Sequence, residues 1–400
     1  MAQEFIVSPG QSIQAAITVA NDYDTIRVLP GTYTGPIVIN KMIQLLGAQA
    51  GVDARTRTGA PGTESIITGT SVTALVQLAA NNVVVDGFTI QGNTAGAGAY
   101  SLPTFSGYWF FNNIVQNNVF GFYVNSNGET ETQVRQNIFN NNNQAGASTG
   151  NGVYSDQGIQ NLLIDSNRFT GPHANASINM ATNASDVVIV RNEMLTDNSI
   201  ALIDTTNVTI ACNTLTNTQG SSIFFGGGTN RTDINNNILH NSISNGISVT
   251  TAFVPGPNSN IRAKHNNIQG NANAGLNIAA GAYAVAPRLL DATNNWWGAP
   301  DGPSGAGSGS GDAILLNGNP PTILEFEPFL QSPPLPCSTD LACQAALEAL
   351  QQQLAACRLQ LANCQNQSKF KCQNPNPRCI NTAGSQRCDK CQRKSCRCKK

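Results

Sequence analysis

Ten of the eleven cysteines of this chain fall between Cys337 and Cys398, and their spacing limits what they can do. Cys388 and Cys391 form a CxxC pair, and Cys396 and Cys398 follow with one residue between them. Four thiolates so grouped suit a tetrahedral zinc ion. Upstream, Cys343, Cys357 and Cys364 share one stripe of a heptad pattern. There each would meet its own copy in a parallel oligomer and close an interchain disulfide. Groups able to move protons are scattered through the rest of the chain. The acids Asp165, Asp186, Asp197 and Asp204 and the cations Arg168, Arg191 and Arg262 form no dense cluster, and Asp165 and Arg191 are expected to stay apart. His240 and His265 lie near turns. No catalytic or cofactor-binding set is assigned, and apart from tail zinc no cofactor is expected. GSGSGD at 307–312 lacks the lysine of a phosphate-binding loop.

The cysteines are carried by a distinct C-terminal region. SPPLP, within 331–338, reads as a stiff linker. Residues 339–366 are rich in Ala, Leu and Gln without glycine, with Thr339 or Asp340 as the cap. Leu347, Leu354 and Leu361 take one seam position, and Cys343, Leu350, Cys357 and Cys364 the other, which is a short coiled coil. From 367 to 400 the chain has no apolar core. Between Lys369 and Lys400 ten basic residues face one acid, a charge of +9, which leaves 12 basic and 22 acidic residues, or −10, for the remainder. One aromatic, Phe370, and no groove-reading helix argue against nucleic acid as the partner.

The body before it is 11% charged, well below the roughly 25% of an ordinary soluble domain. Asn, Thr, Ser, Gly and Gln take the place of the missing charges. No apolar run is long enough to span a bilayer, and MAQEFIVSPG has neither the basic nor the apolar part of a signal peptide. A leaderless, cytoplasmically made chain is therefore expected, incorporated in a spore surface layer or a virion. Cys212, alone among strand residues, reads as a small buried hydrophobe.

A repeat organises this body. Aligned on a turn residue, VVVDGFTIQGN (Gly87), YWFFNNIVQNN (Asn113), TQVRQNIFNNN (Asn137), LLIDSNRF (Asn167), VVIVRNEMLTDN (Asn192), VTIACNTLTN (Asn213), TDINNNILHN (Asn237), IRAKHNNIQGN (Asn267) and LLDATNNWWG (Asn295) recur at intervals of 21 to 30 residues. A second short strand follows each turn, as in GFYV at Gly121, GVY at Gly152 and GISV at Gly246. Intervals this short leave no room for a crossover helix. Strands that pair in parallel with their counterparts one lap away satisfy the pattern, and each lap buries its apolar face against the next. The asparagines are expected to take the left-handed turn conformation themselves and to stack as an amide ladder.

Ser12 is expected to cap a helix whose apolar face is Ile13, Ala16, Ile17 and Ala20, lying over the first lap. SIQAAITVANDYDTIRVLPGTYTGPIVI resembles the opening of the pectin-lyase-like right-handed β-helix proteins. ATNNWWGAPDGPSG with FEPFL resembles the closing segment of their bacterial surface and periplasmic members. The resemblance spans residues 5–330 and implies an all-β, single-stranded right-handed parallel β-helix with an N-terminal capping helix. It divides the chain into 1–40, cap and opening strands; 41–330, β-helix; and the three C-terminal segments above. Trp296 and Trp297 are expected to pack the end of the coil. The family's lyases imply Ca²⁺-binding carboxylates with a basic Arg or Lys, and its glycosidases imply paired acids. Neither pattern is met. The expectation is therefore a structural surface-assembly protein, not an enzyme. Its coiled coil makes homo-oligomers, trimers in preference to dimers by likeness to the family's tailspikes, and its tail joins other Cys-rich layer proteins or glycans. The alternatives are a polysaccharide lyase or glycosidase, and a non-catalytic glycan binder using the turns around Tyr100–Phe111.

Overall fold

Short strands that alternate inward apolar and outward polar residues, with two-residue turns between them, cannot close on themselves and must stack. The computed structural model, which describes residues 2–60, 62–284 and 289–337, stacks them as a right-handed parallel β-helix with one N-terminal capping helix. A typical rung runs Val84–Asp86 on a first face, Phe88–Gln91 on a second and Ala97–Ser101 on a third. The next rung lays Trp109–Phe111, Ile114–Gln116 and Phe120–Tyr123 over them in parallel register. The first and third faces belong to one 23-stranded sheet and the second to a 10-stranded sheet. In Ala176–Val190 and Ile200–Ala211 the third face runs into the first without a break.

Register fixes the core. Tyr33, Ile67, Ile90, Val115, Phe139, Phe169, Met194, Leu215, Leu239 and Ile268 occupy one inward column of the second face, all buried. Phe139 and Phe169 stack at 5.2 Å. Each such side chain contributes about 1.5–3 kcal/mol on burial, and no rung completes its core without its neighbours. Ser12 Oγ accepts from Ala15 N at the start of the helix Ile13–Val19, which seats Ile13 and Ile17 on the first rung. At the far end Trp297 is fully buried, and Trp296 Nε1 donates to Gln269 Oε1 at 2.9 Å.

The first corner, between the first and second faces, carries the ladder, but with the roles shifted by one residue. The left-handed position is the residue before each ladder asparagine: Asn112, Gln136, Ser166, Arg191, Cys212, Asn236, His265 and Asn294. The following asparagines, 113, 137, 167, 192, 213, 237, 266 and 295, are buried and linked rung to rung. Asn192 Oδ1 accepts from Asn167 N and Nδ2 at 2.9 and 3.0 Å, while Asn192 Nδ2 donates to Ile164 O and to Asn213 Oδ1, both at 3.0 Å. The ladder member in the eighth of these rungs is thus Asn266, and Asn267 opens the next strand, Asn267–Gln269. At Gly87 a Cβ would lie 2.1 Å from Ala50 N, because the inserted segment 47–64 crosses the corner there.

Cys212 is not a buried hydrophobe. From its left-handed turn position it forms a disulfide with Cys337, 125 residues later, with the Cα atoms 5.6 Å apart. The proline-rich segment therefore ends against the first corner instead of leading away from it. The tail calls for zinc at Cys388, Cys391, Cys396 and Cys398 and for interchain disulfides at Cys343, Cys357 and Cys364, like the coiled coil itself, lie outside the described residues. Among the described residues no helix is long and apolar enough to cross a membrane.

Candidate functional site: a tyrosine row on the third face

Ion pairing accounts for most of the acids and bases singled out in the sequence. Asp165, fully buried, accepts from Arg191 Nε and Nη2 at 2.8 and 2.6 Å and lies 3.1 Å from Arg135 Nε. The expectation that Asp165 and Arg191 stay apart is corrected. Arg191 occupies the turn position one rung on, and this aims its side chain back at the outward end of the strand Gln160–Asp165. Arg168 pairs with Glu193 at 2.8 Å and Arg262 with Asp233 at 2.5 Å, each across neighbouring rungs. Asp197 ends a second amide column, at the corner between the second and third faces. It runs from Asn93 through Asn118 and Asn142 to the fully buried His173, whose Nδ1 lies 2.7 Å from Asp197 Oδ2. Asp186 accepts from Asn207 and, like Asp204, takes a left-handed turn conformation. His240 stands on the second face and His265 at the first corner. These residues hold rungs together and are dispersed over several faces.

Unpaired chemistry gathers elsewhere. Three consecutive rungs of the third face carry the tripeptide Gly-x-Tyr, at Tyr100, Tyr123 and Tyr154, and the register places the three tyrosines in one outward column. The glycine is required. A Cβ at Gly121 would lie 2.2 Å from Gly152 O, and one at Gly152 would lie 2.5 Å from Ser177 O. The alternation of the strand then turns the tyrosine two residues later outward. The rings stack at 5.1 Å (Tyr100 on Tyr123) and 5.4 Å (Tyr123 on Tyr154), and Phe120 meets the last two edge-on. Stacked in this way, the middle ring has no free face. What the column offers outward is ring edges and phenolic oxygens.

Asp156, two residues after Tyr154, closes the set. Its carboxylate accepts from the hydroxyl of Tyr123 through Oδ1 and from that of Tyr154 through Oδ2, the latter at 2.7 Å. Gln157 Nε2 donates to the Tyr123 oxygen at 2.5 Å. Burial, and next the bond to the Asp156 carboxylate, push the Tyr154 phenol up to about 12 and that of Tyr123 well above the ordinary tyrosine range. Both phenols therefore hold their protons at neutral pH, and Asp156 is the acceptor between them. Asn179 follows Tyr154 in the column, and its buried Oδ1 has no hydrogen-bond partner. Sequence reading passed over this site because the tyrosines are 23 and 31 residues apart; aligned on the second strand of each rung, the repeated Gly-x-Tyr would have shown it. The aromatic segment Tyr100–Phe111 is divided between two roles. Tyr100 joins the column, Tyr108 and Phe110 are core, and Trp109 and Phe111 stack outside the first face.

No protein-family profile and no curated protein matches the chain. Among solved structures, the A-module of a mannuronan C-5 epimerase of Azotobacter vinelandii is similar over 81% of this chain and 95% of that one, with a TM-score of 0.55 and 16% identity. An alginate lyase of Paenibacillus sp. strain FPU-7 matches over 64% and 93%, with a TM-score of 0.45 and 10% identity. The pectate lyase Pel9A matches over 79% and 78%, at 0.42 and 14%. The chain is a right-handed parallel β-helix protein, related in fold to the pectin-lyase-like enzymes. The expectation of a non-enzymatic surface-assembly protein of spore-coat type is overturned, since these solved structures are polysaccharide-converting enzymes by name.

Proposed function

We propose that this protein is a polysaccharide-converting enzyme of lyase or epimerase type, which binds a sugar chain along the third face and transfers protons at Asp156, Tyr123 and Tyr154. The observation that carries the reading is the single carboxylate shared by two phenols on an outward face. Glycoside hydrolysis by a carboxylate pair needs a second acid across the scissile bond, and Asp156 is the only acid in the column. Proton abstraction beside a carbonyl needs one base and one acid. Asp156 takes the proton from the sugar carbon α to the carboxyl group. The C–H electrons form the carbon–carbon double bond as the bond from the β-carbon to the glycosidic oxygen breaks, and Tyr154 gives its proton to that oxygen. The proton on Asp156 then passes along the existing hydrogen bond to Tyr154, and the set is restored. Return of a proton to the opposite face of the same carbon, without bond cleavage, would make the reaction an epimerisation. The mannuronan epimerase that shares the fold supports this chemistry.

Exchange of the sugar proton in heavy water, read by NMR on uronan polymers and their esters, detects both outcomes. Wild-type chain is expected to promote exchange, and Asp156→Asn to lose about a hundredfold to a thousandfold of the rate. Full activity in Asp156→Asn would sink the assignment.

A further inference from the structure

The charges around the tyrosine column point to its substrate class. Among the described residues, the third-face strands from Ile37–Ile39 to Ala274–Ile278 contain no Lys, Arg or His. The loops leading from this face toward the first carry acids: exposed Glu129, Glu131 and Asp186, with Asp156 and Asp204 partly buried. Two cations stand on that flank. Lys41 belongs to the first rung, and its ammonium donates to the carbonyls of Ile17, Thr18 and Ala20 at the end of the capping helix. Arg231 lies at the far end of the loop after Ile223–Phe225, three rungs beyond Tyr154. His173, at the other corner, is fully buried. Among the described residues no three Asp, Glu, His or Cys side chains group as ligands for a metal ion.

A free carboxylate would meet Asp156 as a like charge in a partly desolvated site. Loss of the neighbouring proton would then put a second negative charge on the same group, which calls for a cation. A masked carboxyl develops one charge only, on its carbonyl oxygen, and hydrogen-bond donors such as the phenols of Tyr123 and Tyr154 and the Gln157 amide stabilise it. Asn179 Oδ1, buried and unpartnered, suits a sugar hydroxyl as donor and opposes an anion. We infer that the sugar seated at Tyr123 and Tyr154 is a uronate whose carboxyl group is masked, as an ester, and that free polyuronate is excluded by charge. This rests on the third face being the sugar-binding face.

A matched pair of polymers separates the two ideas. A polyuronate and its methyl ester, equal in length, are titrated against the full chain and against Tyr154→Ala, with Tyr154→Phe as the conservative variant. The Tyr154-dependent part of the binding is scored, so that attraction of polyanion to the basic tail cancels. The ester is expected to bind at least about tenfold more tightly in that part, with the advantage retained in Tyr154→Phe. Equal or tighter Tyr154-dependent binding of the free polyuronate, with or without added calcium, overturns the charge argument and leaves the face intact. Absence of Tyr154-dependent binding for both polymers overturns the third-face reading and this inference with it.

Discussion

The amide ladder of the first corner and the tyrosine column of the third face are both stacks of polar side chains along the coil, yet they differ in every respect that bears on use. The ladder is buried, recurs in eight rungs from Asn113 to Asn295, and is satisfied throughout by its own members. The column is partly exposed, occupies three rungs, and converges on one acid. A polar group repeated in every rung is there to close the rungs. One that breaks the repeat and faces solvent is available for a ligand. The contrast separates Asp165 and Asp197, both fully buried, from Asp156 more reliably than residue type does.

Four measurements bear on this contrast. The largest effect is expected in the ladder. Asn192→Ala strips partners from Ile164 O, Asn167 Nδ2 and Asn213 Oδ1 inside the core and should cost about 3 kcal/mol in denaturant unfolding. A loss below about 1 kcal/mol would mean that the ladder is ornamental. Cys337→Ser leaves the ladder intact but opens a 125-residue covalent loop at the same corner, and should cost about 2 kcal/mol under oxidising conditions. Identical thermal unfolding of variant and wild type would show that the bridge does not form.

The column is expected to respond to pH where the ladder does not. Tyr154, raised to about 12 by burial and by Asp156, stays protonated while an unfolded tyrosine ionises near 10. Its contribution is therefore complete below about pH 10 and is lost as pH climbs toward 12. Ultraviolet titration of Tyr154→Phe against wild type should remove a late-ionising phenol, and removal of an ordinary one would contradict the hydrogen-bonded arrangement. The smallest effect belongs to polar columns with neither burial nor convergence. Gln116→Ala, in the second-face column where Gln116 Nε2 donates to Gln91 Oε1, should change stability by less than about 0.5 kcal/mol and leave activity untouched.

How much of this was legible in the sequence follows from the same distinction. The rungs, the capping helix and the closing tryptophans could be read because periodicity and apolar alternation are local. The ladder was read one residue out of register in two ways. Asparagine tolerates a left-handed backbone, so it was given the turn position, although the chain uses Gln136, Arg191 or His265 there and keeps the amide for the next, buried residue. In HNN the wrong asparagine was then chosen. Arg191 with Asp165, and Cys212 with Cys337, join positions whose distance in space depends on which way a turn residue projects, and no linear offset gives that. The tyrosine column was hidden for a related reason: loops of unequal length at the other two corners displace equivalent residues by 23 and 31 positions.

That inequality of corners has a consequence for how such a chain can change. Between the first and second faces exactly the same two-residue step separates the strands in seven successive rungs, from Asn112–Asn113 to His265–Asn266. One residue inserted there would turn the following strand inside out. Insertions at the remaining corners only lengthen a rim. Natural or laboratory remodelling of what this coil grips is therefore channelled to two of its edges, and the third behaves as a hinge-free spine along which new rims can be grafted without renegotiating the interior.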